Sequence, residues 1–314
     1  MSLATLRKNS GNLDRLTKEL EKINQPKTDY KQKDERVWRC EQDKAGNGYA
    51  VIRFLPGPAV DGDDSLPWVR YFDHGFQGPT GKWYIENSLT TLGKDVKDPV
   101  SEFNSQLWAQ STDDNSWQRK QVRAQKRRLH YVSNILVIED PKNPQNNGKV
   151  FLFKYGKKIF DKITQAMNPE FQDEKPMNPF DFWTGADFKL KIRKVEGYTN
   201  YDKSEFNAPS ALYGGDETKL GTLHQSEFSL LEFVAPDKFK SYEKLKEQLQ
   251  KVLGIDVTSG VTQVHSNQEQ TIHPAATPKV AATPAVKQAT VMPVVEDDDD
   301  DDLAKFSKLI DDED

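Results

Sequence analysis

The sequence predicts a mainly-β protein, a small Greek-key barrel of short strands with a few helices added. Three observations lead there. Short runs of β-branched and aromatic residues recur between Gly, Pro and Asp turns such as KAGNG at 44–48 and QGPTG at 77–81. Within the body, clear helical spacing is confined to two segments, 156–167 and 242–253. No internal repeat suggests a solenoid.

Taken in order, residues 1–9 form a polar arm holding Arg7 and Lys8. In NLDRLTKELEKI, Leu13, Leu16, Leu20 and Ile23 fall at helical spacing, with Asn12 or Ser10 as cap. So short a helix cannot bury its stripe alone, and it packs on its own domain or on another copy. Residues 25–35 read as a linker. Strands are expected at Val37–Glu41, Tyr49–Leu55, Val69–Asp73, Lys82–Glu86, Leu129–Ile138, Lys149–Tyr155 and Phe188–Val195. Residues 87–118 read as irregular. In the strand ending at Tyr155, Phe151, Phe153 and Tyr155 alternate with Val150, Leu152 and Lys154. With one face in the core, some of these rings are expected to point elsewhere. The helix over 156–167 turns Ile159, Phe160 and Ile163 inward, and the helix over 242–253 closes at Gly254, a good C-cap.

Beyond Gly254 the composition shifts to Ser, Gln, Thr, Ala and Pro over 259–294, a disordered spacer. The tail EDDDDDDLAKFSKLIDDED follows, with Leu303, Phe306, Leu309 and Ile310 at helical spacing, a segment suited to folding on a partner. The expected organisation is an arm over 1–24, a core over 25–254, and a spacer with an acidic tail over 255–314.

With 30% charged residues and a mean hydropathy of −0.80, no stretch approaches a membrane span, and the N-terminus lacks an apolar signal core. Cys40 is the only cysteine, which excludes an internal disulfide and a Cys-rich zinc site and fits a reducing compartment. The formal net charge is −5, yet residues 296–314 alone carry −9, so the rest of the chain is basic at +4. Such asymmetry marks nucleic-acid binders with interaction tails.

The basic charge is concentrated. RKQVRAQKRR places Arg119, Lys120, Arg123, Lys126, Arg127 and Arg128 directly before the apolar run LHYVSNILVI, so a cationic patch is fastened to the wall of a core. Lys157 and Lys158 follow Phe151, Phe153 and Tyr155. Lys189, Lys191, Arg193 and Lys194 precede Tyr198 and Tyr201. Trp108 and Trp117 lie upstream of the patch and Tyr131 just after it. Unpaired nucleic acid calls for this combination, cations for phosphates and flat rings for bases. No helix-turn-helix or zinc-finger pattern suggests duplex reading.

An alternative is an enzyme, such as a metal-dependent nuclease. The chain lacks GxxxxGK[ST], HExxH and CxxC; its histidines 74, 130, 224, 265 and 273 are scattered, and Glu139–Asp140 reads as a turn. A scaffold protein driven by its tail is a third class.

Several stretches resemble the single-stranded DNA-binding (helix-destabilising) proteins of T-even-type bacteriophages: AGNGYAVIRFLP at 45–56, HGF at 74–76, GKWYIE at 81–86, KRRLHYVSNILVIEDP at 126–141, NNGKVFLFKYGKKIFDKI at 146–163, GADFKLKIRKVEGYTNYDKSEF at 185–206 and, more loosely, KFKSYEKLKEQ at 238–248. The resemblance implies an OB-fold core, a five-stranded Greek-key barrel with inserted subdomains, that coats single-stranded DNA cooperatively and with little sequence preference, without catalysis. It further implies work in phage DNA replication, recombination and repair in the cytoplasm of the infected bacterial host, with an acidic tail engaging replication and recombination proteins. The arm would self-associate through Arg7, Lys8 and Ser10, a thinner version of the family's basic-then-hydroxyl motif; at its internal counterpart, Leu129 and His130 replace the hydroxyls after Lys126-Arg127-Arg128. By matched position Tyr131, Phe153, Tyr198 and Tyr201 fall where the family has rings facing DNA, while Val132 stands where it has a tryptophan. The family's described members hold a structural zinc through one His and three Cys. Here His74 is kept, but Ser88, Asp98 and Ser101 occupy the Cys places, so the expectation is no zinc, with His74 structural or on the surface and 87–118 held by packing or mobile.

Overall fold

The computed structural model describes residues 34–171 and 173–255; the expected arm, the helix over 12–23, the spacer beyond 255 and the acidic tail lie outside them. In chain order the elements are β1 (Val37–Trp38), β2 (Gly48–Phe54), β3 (Val69–Gln77), β4 (Trp83–Asn87), α1 (Pro99–Ala109), α2 (Trp117–Ala124), β5 (Arg128–Glu139), β6 (Val150–Tyr155), α3 (Lys157–Met167), β7 (Phe188–Val195), β8 (Tyr198–Asn200), β9 (Glu205–Phe206), α4 (Glu217–Gln225) and α5 (Tyr242–Leu253). The protein is thus mainly β, with several helices. All seven expected strands form, with ends displaced by a few residues. β8, β9 and α4 are additional.

The strands run β1-β6-β5-β2-β7-β8, with β3 carried by β5 and carrying β4, and β9 on β7. β1–β6 is parallel and the other ladders are antiparallel. β5 organises this sheet. Its first residues pair with β3 (Arg128↔Asp73 to Val132↔Val69) and its last with β2 (Ile135↔Phe54 to Glu139↔Val51). Along its other edge β6 runs unbroken from Tyr131↔Tyr155 to Leu136↔Val150. Residues 130–137 are all buried, because both faces are covered. Tyr131, Ile135 and Val137 enter the main core with Ile52, Phe54, Phe188 and α3's Ile159 and Ile163. Val132 joins Tyr71 and Leu230, and Leu136 joins Leu55 and Leu220, on the opposite side.

The same double cover corrects the expectation for β6. Its rings do not point away from the core: Phe153 and Tyr155 are buried in it and Phe151 packs partly against it, while Leu152 is covered on the other face by Leu230 and its neighbours.

The segment 87–118 is also not irregular. Asp98 caps α1, its side chain accepting from the Val100 and Ser101 amides, and Pro99 occupies the first turn, where its missing N–H costs nothing. Ser116 caps α2 by accepting from Arg119. Val100 packs with Phe76 and Tyr84 and with α5's Leu245 and Leu249, so a second, smaller core lies over β3 and β4. Gly254 ends α5 in the left-handed conformation, as read.

Candidate nucleic-acid interface

Pleating places Arg70 and Phe72 on one face of β3 and Tyr71 and Asp73 on the other. Arg70 lies across from Tyr131 and Phe72 across from Leu129. The Arg127 guanidinium sits 4.0 Å from the centroid of the Phe72 ring and donates 2.6 Å to Thr90 Oγ1. Burial lowers its pKa from the ordinary arginine value, Asp98 opposes that, and Arg70 is close enough to lower it further. Two guanidinium groups therefore share one face with open rings. Tyr131 stacks on Phe160 of α3 at 3.9 Å and 7°, and Phe160 meets Trp68 edge-on at 5.5 Å. Phe160 and Trp68 are only half-buried.

Further along α3, Lys162 donates 3.2 Å to the Asp202 carbonyl, and the Asp202 carboxylate holds Arg193 on β7. Stacked rings and hydrogen bonds thus link the face of Arg70 and Arg127 through α3 to the β7–β8 hairpin. That hairpin turns at Glu196 and Gly197, both with positive φ (54° and 88°), and presents Tyr198 at 60% exposure.

The sequence-predicted residues divide by environment. Arg119 is half-buried with its guanidinium 3.4 Å from the Trp108 centroid, and Lys120 is exposed. Lys126 and Lys158 are half-buried. Arg123, Lys157, Lys191 and Arg193 reach the carboxylates of Asp114, Asp161, Glu205 and Asp202. Those acids are open to solvent, where water screens an ion pair and leaves it weak. Tyr201 packs partly on the main core.

Three others lie inside. Arg128 is 4% exposed, and its Nε donates 2.8 Å to Asp73. Burial works against the ionised Asp73 carboxyl, yet His130, Lys154 and Arg128 around it more than offset this and hold it well below the usual carboxylate range. Tyr131 and Phe153 are 6% exposed, within the main core. Consecutive residues on a strand face opposite ways, so the run Lys126-Arg127-Arg128 could not stay on one surface once β5 began. Arg70, Trp68 and Phe160 were not picked out. The signal for Trp68 and Arg70 was Trp-x-Arg at the start of the third strand.

The zinc-site expectation centres on His74, which is 1% exposed and therefore structural, not superficial. The donor set around it does not suit zinc: two of the three replacements are neutral serine hydroxyls. Among the described residues no three His, Cys, Asp or Glu side chains converge to hold a metal ion.

A mainly-β sheet whose face carries guanidinium groups beside open aromatic rings, with an exposed tyrosine on a basic hairpin, defines the class of β-sheet nucleic-acid-binding proteins. A family model described as "gp32 DNA binding protein like" matches residues 46–253. The chain is 37% identical over 247 residues to the single-stranded DNA-binding protein of Enterobacteria phage T2, covering 78% of this chain and 79% of that one. It is 38% identical over 233 residues to the protein of the same description from Enterobacteria phage T4, covering 74% of each. A protein of that description from Escherichia phage SV14 is 35% identical over 102 residues, 32% of this chain and 87% of that one. The chain belongs to the gp32-like DNA-binding family. No helix among the described residues is long and apolar enough to cross a membrane.

Proposed function

We propose that this protein coats single-stranded DNA cooperatively, without strong sequence preference and without catalysis, during phage DNA replication, recombination and repair in the host cytoplasm. One observation carries this reading: the Arg127 guanidinium lies over Phe72 on the Arg70 side of β3, and contacts through Tyr131, Phe160 and Lys162 of α3 connect this group to the hairpin of Arg193 and Tyr198. Guanidinium groups neutralise phosphates and release counterions, while unpaired bases stack on the rings, each contributing on the order of 1–3 kcal/mol. The antiparallel ladders through β5 support reading the sheet as an OB-fold core with the β3–β4 lobe inserted. Arg7, Lys8 and Ser10 would link neighbouring copies, and the acidic tail would recruit replication and recombination proteins.

The test is a fluorescence titration with unlabelled single strands of several lengths, repeated at several salt concentrations. Affinity is expected to fall by about 0.7 in log K per log salt for each phosphate neutralised. Incubation of labelled strands with Mg²⁺ is expected to leave them intact. Salt-independent binding, or none, overturns the reading; cleavage would favour the nuclease alternative.

A further inference from the structure

Where the family resemblance leads one to expect zinc, this chain has built something else. His74 on β3, Ser88 after β4, Asp98 at the start of α1, Asn104 within α1 and Gln125 at the end of α2 are all buried. Asp98 gathers them. Its Oδ1 accepts from the amides of Val100 at 3.1 Å and Ser101 at 3.0 Å and lies 3.2 Å from His74 Nε2. Its Oδ2 accepts from Ser88 Oγ at 3.0 Å and from the Leu89 amide at 3.1 Å. His74 Nδ1 lies 3.1 Å from the Gln125 carbonyl, which also accepts from Asn104 at 3.3 Å.

A structural metal fixes several chain segments to one point by binding a ligand from each. Here one carboxylate does so by accepting hydrogen bonds. Four partners reach its two oxygens, two of them at a helix N-terminus where negative charge is favoured, and His74 Nε2, which makes no hydrogen bond of its own, faces it from β3 at ion-pair distance. Three thiolates would repel one another without a divalent ion between them. One carboxylate flanked by two hydroxyl-bearing residues carries a single charge and is satisfied by groups the chain itself provides.

We propose that this Asp98-centred knot replaces a metal ion as the tie fastening α1 and α2 to β3, so that the folded state is independent of zinc. The inference does not rest on the DNA-binding reading, because it is tested on the free protein. The full chain is purified without chelator, its zinc content measured by atomic emission, and its thermal melt recorded with and without a strong chelator. Zinc far below one ion per chain and an unchanged melting temperature are expected. One zinc per chain, with a melting temperature that drops on chelation, overturns the proposal.

A double-mutant cycle of His74→Gln and Asp98→Asn then tests the knot itself. Each variant is expected to melt lower than the parent, and the double variant to lose clearly less than the two losses combined. Additive losses, or variants that melt like the parent, overturn the role of the pair. If neither variant folds, metal content and chelator response of the unaltered chain decide alone.

Discussion

Lys126, Arg127 and Arg128 look interchangeable as a run of cations, but the structure predicts that the last two behave in opposite ways. Replacing Arg128 with Met removes the partner that donates 2.8 Å to Asp73 in a buried setting. Breaking a buried pair from one side typically costs about 3–5 kcal/mol. His130 Nε2 at 2.9 Å and Lys154 Nζ at 3.7 Å remain near the carboxylate, so the low end, about 3 kcal/mol, is expected. For a domain of this size that lowers the melting temperature by roughly 6–12 °C. The salt slope of DNA binding, measured below the melt, should be unchanged. Replacing Arg127 with Ala should instead remove about 0.7 from that slope. At 0.1 M salt this amounts to about 1 kcal/mol, or roughly a fivefold loss of affinity. The assays are a thermal melt and a fluorescence titration with a single-stranded oligonucleotide from about 0.05 to about 0.3 M salt. A flattened slope for Arg128→Met with an unchanged melt would refute the division between interior and surface.

Tyr198→Ala should cost binding on the order of 1–3 kcal/mol with no change in melting, since the ring is largely exposed; equal affinities would remove it from the interface. Phe153→Ala should cost about 3–5 kcal/mol of stability, measured by denaturant unfolding, because the ring packs against Trp38 and Phe54. Burial pushes Glu227 up to about 8, although His224 Nδ1 lies 2.9 Å away. Its folded value lies above its unfolded one, so its contribution to stability is complete below about pH 4.5 and lost as pH rises towards 8. Glu227→Gln should therefore gain melting temperature over the parent at pH 8.5 and little or none at pH 5; a pH-independent difference would contradict this.

The strands were legible because their residues carry period-two or near-continuous apolar runs bounded by Gly, Pro and Asp turns. LHYVSNILVI could be read as buried without knowing what covers it. The helices α1 and α2 were missed for a physical reason. In VSEFNSQLWA only Val100 and Phe103 touch the small core and Leu107 is buried besides, too few to show a stripe beside so many polar residues. Their start signals, Asp98-Pro99 and Ser116, were nevertheless present. The site was legible as a class, cations beside rings, but not residue by residue. Arg127 and Arg128 differ only in which way a strand turns them, and Arg70 becomes relevant only when β3 is laid against β5. Tyr131 and Phe153 match the family's ring positions, yet here they pack inward. The continuous apolar runs of β5 and of Val150–Phe153 are what two covered faces require, but the elements that cover them lie far away in the chain and are not written locally.

The ladder of β6 spans the point where β5 passes from one neighbour to the other, so Ser133 and Asn134 are splinted on that side and Leu55 bonds the Asn134 carbonyl on the other. Swivelling at that point would tear backbone bonds along both edges of one strand. The two cores should accordingly melt in a single calorimetric transition, and any tightening around a threaded strand falls to rotamers and loops, with the framework staying still.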